Sequence, residues 1–208
     1  MKINNINVQN EGYVHCKSVF YSAHDSLSNC SRYTFSPGIN KMIGEIDSGN
    51  WAISYLLSMY KHMPKDFTLF ENPQIFVNDK SVSLNEFSET SCYMDKLYPL
   101  FSDSKSVKKL VVDGLKHSKS KYSTEDIMDM FCLDSERFER PLNQVGNEIF
   151  RAMAAIGISY GKEIFCFPWM SRKRFDYYNK NLIHALSVLE KLKKIVILPI
   201  GMSASIPQ

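Results

Sequence analysis

The sequence predicts an α/β fold, in which a short antiparallel β portion precedes a core of alternating strands and helices. Up to residue 40, short segments alternate polar and apolar residues between turn signals, which is typical of strands with one buried face. Beyond residue 40, apolar runs of strand length alternate with segments whose apolar residues recur at helical spacing. This alternation favours parallel strands covered by helices. The chain has 208 residues, enough for one such core, so we expect a single domain over residues 1–208.

The first part of the chain predicts strands joined by turns. Three segments have the alternating pattern: KINNINV, YVHCKSVFY and SRYTFSPG. Residues 40–63 then predict a strand, a glycine-containing loop and a helix. The segment PQIFVNDKSVSL predicts a β-hairpin, because Asn78 and Asp79 suit the turn of a two-residue hairpin loop.

The middle of the chain predicts a small helical subdomain over roughly residues 104–160. SVKKLVVDGLKHS and STEDIMDMFCL both have the pattern of charged, punctuated helices. The second opens with Ser123 and Thr124 as candidate N-caps and carries acidic residues in its first turn. NEIFRAMAAIGISYG predicts a further helix, which ends at Gly161.

The last part of the chain predicts a strand, a helix and a second strand. EIFCFPW is a short apolar run of the kind found in buried strands. NKNLIHALSVLEKLKK predicts an amphipathic helix, with one side formed by Leu182, Ala185, Leu186 and Leu189. IVILPIG predicts a strand, and MSASIPQ predicts an exposed tail.

Composition and charge indicate an ordinary globular protein. The formal charge of +3 comes from interspersed basic and acidic residues and does not favour nucleic acid as a partner. The longest apolar stretch, near IVILPIGM, is much shorter than a bilayer span, and the polar N-terminus does not have the pattern of a cleavable signal. We therefore expect a cytoplasmic protein.

Cysteine and histidine positions predict no metal site. The five cysteines are scattered and never spaced as CxxC, which favours reduced thiols in the cytosol. The five histidines are isolated, and neither HxxxH nor HExxH occurs.

The segment GEIDSGNW, from Gly44 to Trp51, has the outline of a phosphate-binding loop. It lies between a predicted strand and a predicted helix. A working loop of this kind uses backbone N–H groups to bind phosphate, a lysine to reach the terminal phosphates, and a hydroxyl to bind Mg²⁺. The segment contains no lysine. Alternatively, its glycines serve only a tight strand-to-helix turn.

Taken in order along the chain, this loop and five further segments resemble the motifs of ATP-binding subunits of ABC transporters, and the resemblance covers nearly the whole sequence. The loop of that family has the form G-x-x-G-x-G-K-[ST]-T. The positions that match or are acceptable are Gly44, Ser48 and Gly49. The resemblance places Asn50 at the lysine and Trp51 at the magnesium-binding hydroxyl.

Two segments on either side of the predicted hairpin also have counterparts in the family. Tyr21 lies where the family has the aromatic residue that stacks on adenine. SETSCYMDKLYPLF resembles the region of the Q-loop, without its glutamine. The resemblance implies that this region meets a membrane subunit through Leu97, Tyr98, Pro99 and Phe101. Alternatively, these residues form a hydrophobic edge of the core.

The segment RPLNQVGNEIFRAMAAIGI resembles the family's signature motif and the helix after it. Leu142 keeps the apolar position, whereas the residues from Asn143 to Gly146 replace the Ser-Gly-Gly-Gln group. That group presents a hydroxyl and backbone N–H donors to the γ-phosphate at a helix N-terminus. With these replacements, the segment supports a buried helix with an asparagine cap.

Two later segments resemble the Walker B strand and the switch strand. In EIFCFPWMS, Pro168 stands at the magnesium-associated aspartate and Trp169 at the glutamate that activates water. In IVILPIG, Gly201 stands at the switch histidine. The segment RKRFDYYNK falls at the family's D-loop, so it is either a loop and helix start or a partner surface.

The resemblance implies the P-loop NTPase-like core of an ABC ATPase, with an antiparallel β portion and an inserted helical subdomain. It also implies a non-catalytic subunit that acts as a structural or regulatory partner in a transporter, without a catalytic residue, a metal or a resident cofactor. Its partners would be a membrane permease, a homologous ATP-binding subunit, or both, as a homo- or heterodimer at the inner face of the plasma membrane. Two alternatives remain: a subunit that still binds or weakly hydrolyses ATP with Mg²⁺, and a soluble interaction protein.

Overall fold

The computed structural model describes most of the chain. The described ranges are 3–10, 13–17, 24–28, 31–45, 48–62, 68–70, 72–96, 98–101 and 104–202. Within them the strands are β1 (Ile6–Asn10), β2 (Tyr13–Lys17), β3 (His24–Ser28), β4 (Ser31–Phe35), β5 (Gly38–Ile43), β6 (Thr68–Phe70), β7 (Gln74–Val77), β8 (Lys80–Val82), β9 (Ser91–Tyr93), β10 (Ile164–Cys166) and β11 (Ile195–Ile200). The helices are α1 (Asn50–Met59), α2 (Leu84–Thr90), α3 (Val107–Ser118), α4 (Thr124–Met130), α5 (Ser135–Phe138), α6 (Ile149–Ser159) and α7 (Arg172–Lys191).

A parallel sheet with the strand order β5-β11-β10-β9 forms the centre of the molecule. Every residue of β9, β10 and β11 is buried. This is expected of parallel strands whose two faces are both covered. The predicted α/β class and the predicted strands EIFCFPW and IVILPIG are therefore confirmed.

Helix α1 follows β5 and is buried around its whole circumference. It contacts strands of the parallel sheet on one side and β2, β3 and α2 elsewhere. Its polar residues are satisfied internally, since Ser54 Oγ donates a hydrogen bond to the carbonyl of Phe167 at 2.7 Å and Ser58 Oγ donates to the carbonyl of Ser54 at 2.9 Å. A helix buried on all sides is rigidly held, and α1 therefore fixes the position of the loop that precedes it.

The antiparallel portion contains two further sheets, with the orders β4-β1-β7-β8 and β3-β2-β6. The predicted hairpin is confirmed as β7 and β8. Asn78 and Asp79 have φ angles of 48° and 63°, the left-handed values that a two-residue hairpin turn requires. Asn78 Oδ1 also accepts a hydrogen bond from the backbone N–H of Asn4 at 2.8 Å, which connects the turn to the residues just before β1.

Residues 107–159 are mainly helical, as the sequence predicts. Ser123 is the N-cap of α4, and its hydroxyl and the Asp126 carboxylate form a reciprocal capping box. Thr124, the other candidate cap, is the first residue of the helix. Whether this segment is a separate subdomain stays a prediction.

Helix α7 is longer than the sequence pattern predicts. It begins at Arg172, because Ser171 caps it by accepting a hydrogen bond from the N–H of Arg174 at 3.2 Å. The apolar side predicted for this helix is buried in the core. Within the described ranges, none of the helices is long and apolar enough to cross a bilayer.

Candidate functional site

The loop that begins at Gly44 joins β5 to α1 and is tied to the parallel sheet. The N–H of Gly44 donates to the carbonyl of Ile200 at 2.9 Å, and the N–H of Ser48 donates to the carbonyl of Glu45 at 3.0 Å. Gly49 precedes the first turn of α1 with a φ of 83°, a left-handed conformation that glycine adopts without steric cost. The strand, loop and helix of the predicted phosphate loop are therefore present.

Two side chains from the end of the loop and the start of α1 lie against Gly44. A Cβ atom added to Gly44 would lie 2.5 Å from Ser48 Oγ and 2.7 Å from Asn50 Nδ2. Both side chains thus fold against the glycine. Asn50 carries no charge, so an amide stands where the resemblance implied a lysine.

Trp51 belongs to an aromatic cluster formed with Tyr55 and Tyr93, which we call the Trp51 cluster. Its Nε1 donates to the hydroxyl of Tyr93 at 2.8 Å, and both side chains are buried. The rings of Trp51 and Tyr55 lie 6.2 Å apart and those of Tyr55 and Tyr93 lie 5.0 Å apart, in edge-to-face arrangements. The position predicted for the magnesium hydroxyl is therefore part of the hydrophobic core.

Trp169 brings three of the predicted site positions together. Its Nε1 donates to the carbonyl of Gly44 at 3.0 Å. A Cβ atom added to Gly201 would lie 3.1 Å from Trp169 Cζ2, so the indole lies directly over that glycine. The preceding residue, Pro168, is buried. The positions predicted for the catalytic glutamate and the switch histidine are thus joined to the loop through one aromatic ring.

The side chains at these positions do not fit a magnesium–ATP complex of the kind the resemblance implies. Magnesium prefers oxygen ligands, and a metal-assisted hydrolysis needs a group that polarises water. Trp51, Pro168 and Trp169 supply neither, and Asn50 supplies no charge to offset a triphosphate. Among the described residues no cluster of three His, Cys, Asp or Glu side chains could hold a metal ion.

The predicted signature residues lie on a separate segment before α6. Two short 3-10 turns, Leu142–Gln144 and Gly146–Glu148, lead into the helix. Asn143 and Gly146 are both exposed. Gly146 has a φ of 60°, and an added Cβ would meet nothing within 4 Å.

An ion cluster at the start of α6 was not predicted from the sequence. Glu148 is buried, and its Oε1 accepts from Arg137 Nη1 at 3.0 Å and from Arg151 Nη2 at 2.9 Å. The sequence contained one signal for this ion pair, because Glu148 and Arg151 are three residues apart, a spacing at which opposite charges meet on a helix. The cluster places a paired carboxylate at the end of the helix where the family presents donors to a phosphate.

The predicted partner surface is mostly inaccessible in the described residues. Tyr98 and Phe101 are buried, and the Tyr98 hydroxyl donates to the carbonyl of Ser91 at 3.0 Å. Pro99 is exposed. Leu97 and the predicted adenine-stacking residue Tyr21 lie outside the described residues. This surface stays a prediction. Because Tyr98 and Phe101 are buried, they would support it by packing below the exposed residues and would not contact a partner directly.

Two cysteines lie in the core near α1 and offer no nucleophile. Burial raises the pKa of Cys92 to about 12 and also raises the pKa of Cys166. Since the thiolate is the reactive form of cysteine, both thiols are inert at neutral pH.

The sequence matches no protein-family model and no curated protein. Solved structures, however, match over nearly the whole chain. One is a protein assigned as an ABC transporter ATP-binding protein from Pyrococcus furiosus, with a TM-score of 0.62, 16% identity, and coverage of 99% of this chain and 94% of that one. Another is the ATP-binding cassette MJ0796 in a dimeric post-hydrolysis state with ADP and Pi, with a TM-score of 0.60, 8% identity, and coverage of 94% and 87%.

A third match is a bacterial Atm1-family ABC exporter with ATP bound, with a TM-score of 0.54 and 12% identity. It covers 97% of this chain but only 35% of the exporter chain, so the likeness concerns one part of that larger protein. At these identities the matches establish the fold. The chain therefore has the α/β fold of ABC transporter ATP-binding domains.

Proposed function

We propose that this chain is a non-catalytic relative of ABC ATP-binding subunits, a pseudo-ATPase that serves as a structural or regulatory partner in a transporter complex. The observation that carries the proposal is the position of Trp169. Its indole donates to the Gly44 carbonyl and covers Gly201. An aromatic ring thus occupies the junction of three segments that the family uses for hydrolysis.

The chemistry of the replaced groups supports the loss of hydrolysis. The family's lysine, magnesium hydroxyl, aspartate, glutamate and histidine correspond here to Asn50, Trp51, Pro168, Trp169 and Gly201. Such groups stabilise the transition state as a unit, so the loss of all five removes most of a rate enhancement. The burial of Trp51 and the contacts of Trp169 also favour a structural role, because they stabilise the frame without a ligand.

The partners proposed for the chain follow from the same resemblance. A membrane permease, a homologous ATP-binding subunit, or both would bind it at the inner face of the plasma membrane. MJ0796 is dimeric in its post-hydrolysis structure, and the Atm1-family protein is an exporter. Those properties belong to those proteins, and for this chain they motivate the experiment below.

Hydrolysis is tested by comparing the purified chain with its Ser48→Leu variant. Ser48 is exposed at the loop and lies against Gly44, so a larger apolar side chain would obstruct any phosphate there. We expect the same magnesium-dependent release of phosphate from both proteins, at the level of a mock purification. A rate that exceeds the mock level and falls in the variant would refute the pseudo-ATPase proposal.

The transporter role is tested by purifying a tagged copy from solubilised membranes. We expect recovery of a multi-span permease, an intact ATP-binding subunit, or both, in fixed stoichiometry. If neither accompanies the tagged chain, the transporter role is replaced by the alternative of a soluble interaction protein. A neighbouring permease gene would be a cheaper indication of the same kind.

A second candidate, nucleotide binding without hydrolysis, is favoured by the conformation of Gly49. Gly49 has a left-handed conformation directly before α1, and N–H groups at a helix N-terminus can bind phosphate. Isothermal titration with ATP, with and without Mg²⁺, separates the candidates. We expect no heat of binding, and micromolar magnesium-dependent binding would favour the second candidate.

A further inference from the structure

We propose that a cleft at the carboxyl edge of the parallel sheet, at the opposite end of the strand order from β5 and the Gly44 loop, binds a small organic acid with an aromatic or aliphatic body. The cleft lies between the residues that follow β9, the first turns of α6 and the first turns of α7. Its lining residues are Met94, Asp95, Lys96, Ile149, Phe150, Met153, Ser171, Lys173, Arg174, Tyr177 and Tyr178. This inference goes beyond the proposed function and does not depend on it.

The position and size of the cleft suit a small ligand. It lies beyond the carboxyl ends of β9 and β10, which is where open parallel sheets usually bind ligands. Its volume is about 620 Å³, within the range typical of small-molecule sites. No described residue of the segment Gly44–Trp51 lines it, so it is separate from the described part of the Gly44 loop.

The walls of the cleft are apolar and aromatic. Met94, Phe150 and Met153 are buried and form its deeper part. The ring of Tyr178 lies perpendicular to that of Phe150, at 4.9 Å, and to that of Tyr177, at 4.8 Å. Tyr177 is 72% exposed. A large exposed ring beside an apolar floor favours a ligand with a flat or branched hydrocarbon body.

The charges of the lining favour an anionic group on that ligand. Among the lining residues that the structure describes, three are cationic, Lys96, Lys173 and Arg174, and Asp95 is the one carboxylate. Asp95 is 3% exposed, and its Oδ2 lies 3.6 Å from Arg174 Nη2. The carboxylate is thus already paired. Lys173 and Arg174 also lie in the first turn of α7, whose dipole adds positive potential.

These features complement a single carboxylate or sulfonate on an apolar body. The apolar floor would contact the body, and the lysines would contact the anionic group at the solvent edge. A neutral apolar compound would lack the charge contacts, and a small inorganic anion would lack the body. Preference for a ligand with both parts is therefore the property to measure.

The test uses a pair of fluorescent dyes with similar ring systems. Anilinonaphthalene sulfonate is an apolar monoanion, and phenylnaphthylamine is its neutral counterpart. We expect the sulfonate to bind the folded chain saturably, at one site, and tighter than the neutral dye. Non-saturable binding, no binding, or equal affinities for the two dyes would overturn the proposal.

Matched lysine variants localise the binding. Lys173 lies on the cleft and Lys180 lies on the same helix outside its lining, and both are exposed. Lys173→Gln should weaken sulfonate binding about threefold, and combination with Lys96→Gln should weaken it about tenfold, as is reasonable for exposed charge contacts. Lys180→Gln should have no effect, and binding of the neutral dye should be unchanged throughout. If Lys173→Gln and Lys180→Gln changed the affinity for the sulfonate dye by the same factor, the proposal would be overturned.

A variant that fills the cleft separates this site from other apolar surfaces. Ile149 is only partly buried and lines the cleft, so Ile149→Trp should abolish binding of both dyes while the thermal unfolding transition is retained. Retained dye binding in that folded variant would refute the site. If that variant does not fold, the lysine comparison decides the question. If dye binding were lost at protein concentrations at which the chain self-associates, the cleft would be a contact surface for a second copy, and the proposal would also be overturned.

Discussion

Replacing Trp169 tests the idea that its indole holds the three site segments together. In Trp169→Phe, a ring still covers Gly201, but the donor to the Gly44 carbonyl is removed. We expect a loss of about 1 kcal/mol in the free energy of unfolding, the usual contribution of one hydrogen bond between uncharged groups. In Trp169→Ala the apolar contact is lost as well. Because Trp169 is only partly buried, we expect about 2–3 kcal/mol in total, below the range for a fully buried tryptophan.

Urea denaturation of the two variants and the unmodified chain measures these differences directly. The rate of ATP hydrolysis is recorded in parallel and should not change in either variant. Equal stability losses in both variants would mean that the contact with Gly201 contributes nothing. Losses below about 0.5 kcal/mol in both would place Trp169 among ordinary surface residues and would refute its structural role.

A second substitution, Gly201→Ala, provides an internal control. In the unmodified chain the new methyl would lie 3.1 Å from Trp169 Cζ2, so the indole must shift and we expect destabilisation. In the Trp169→Ala background that obstruction is absent. There the substitution should be neutral or stabilising, because alanine restricts the unfolded chain more than glycine does. Identical effects in the two backgrounds would show that the ring does not lie on Gly201.

Three further predictions concern stability and are measured by urea or thermal denaturation. Tyr93→Phe should lower the free energy of unfolding by about 1–2 kcal/mol, because it leaves the buried N–H of Trp51 without its acceptor. If the stability losses of Tyr93→Phe and Trp51→Phe simply added in the double variant, the hydrogen bond between the two side chains would be contradicted. Gly114→Ala should lower the free energy of unfolding by about 1–3 kcal/mol through overpacking, because the new methyl would lie 2.5 Å from the ring of Tyr160. An unchanged melting temperature would contradict this prediction. The hydrogen bonds from Ser123 lower the pKa of Asp126, so Asp126→Asn should reduce stability at neutral pH. The difference should vanish as the pH falls through the folded-state pKa, and a pH-independent difference would count against the capping box.

Several elements of the fold are predictable because their causes are local. Asn78 and Asp79 determine the hairpin turn through their tolerance of positive φ. Ser123 determines the start of α4 through one side-chain hydrogen bond. The apolar runs of β10 and β11 indicate strands buried on both faces. The start of α7 was predicted too late, because its first turns carry basic and aromatic residues without helical apolar periodicity and only the Ser171 cap marks the start.

The candidate site is only partly visible in the sequence. The order of segments predicts the positions of the Gly44 loop, Pro168, Trp169 and Gly201, and the strand, loop and helix geometry around Gly49 is as expected. The sequence does not reveal that the indole of Trp169 donates to a carbonyl 125 residues earlier in the chain. It also does not reveal that the Trp51 cluster places Trp51 inside the core.

The sequence by itself therefore determined the class of the fold, most of its elements and the identity of the residues at each predicted site position. Turn chemistry, capping and hydrophobic period act over a few residues, so they can be recognised without coordinates. Only the tertiary structure decided how those residues meet, which partners the two tryptophans have, and where a cleft remains open between α6 and α7. Such contacts depend on the packing of elements that are distant in the chain, and the pattern within any one segment does not encode that packing.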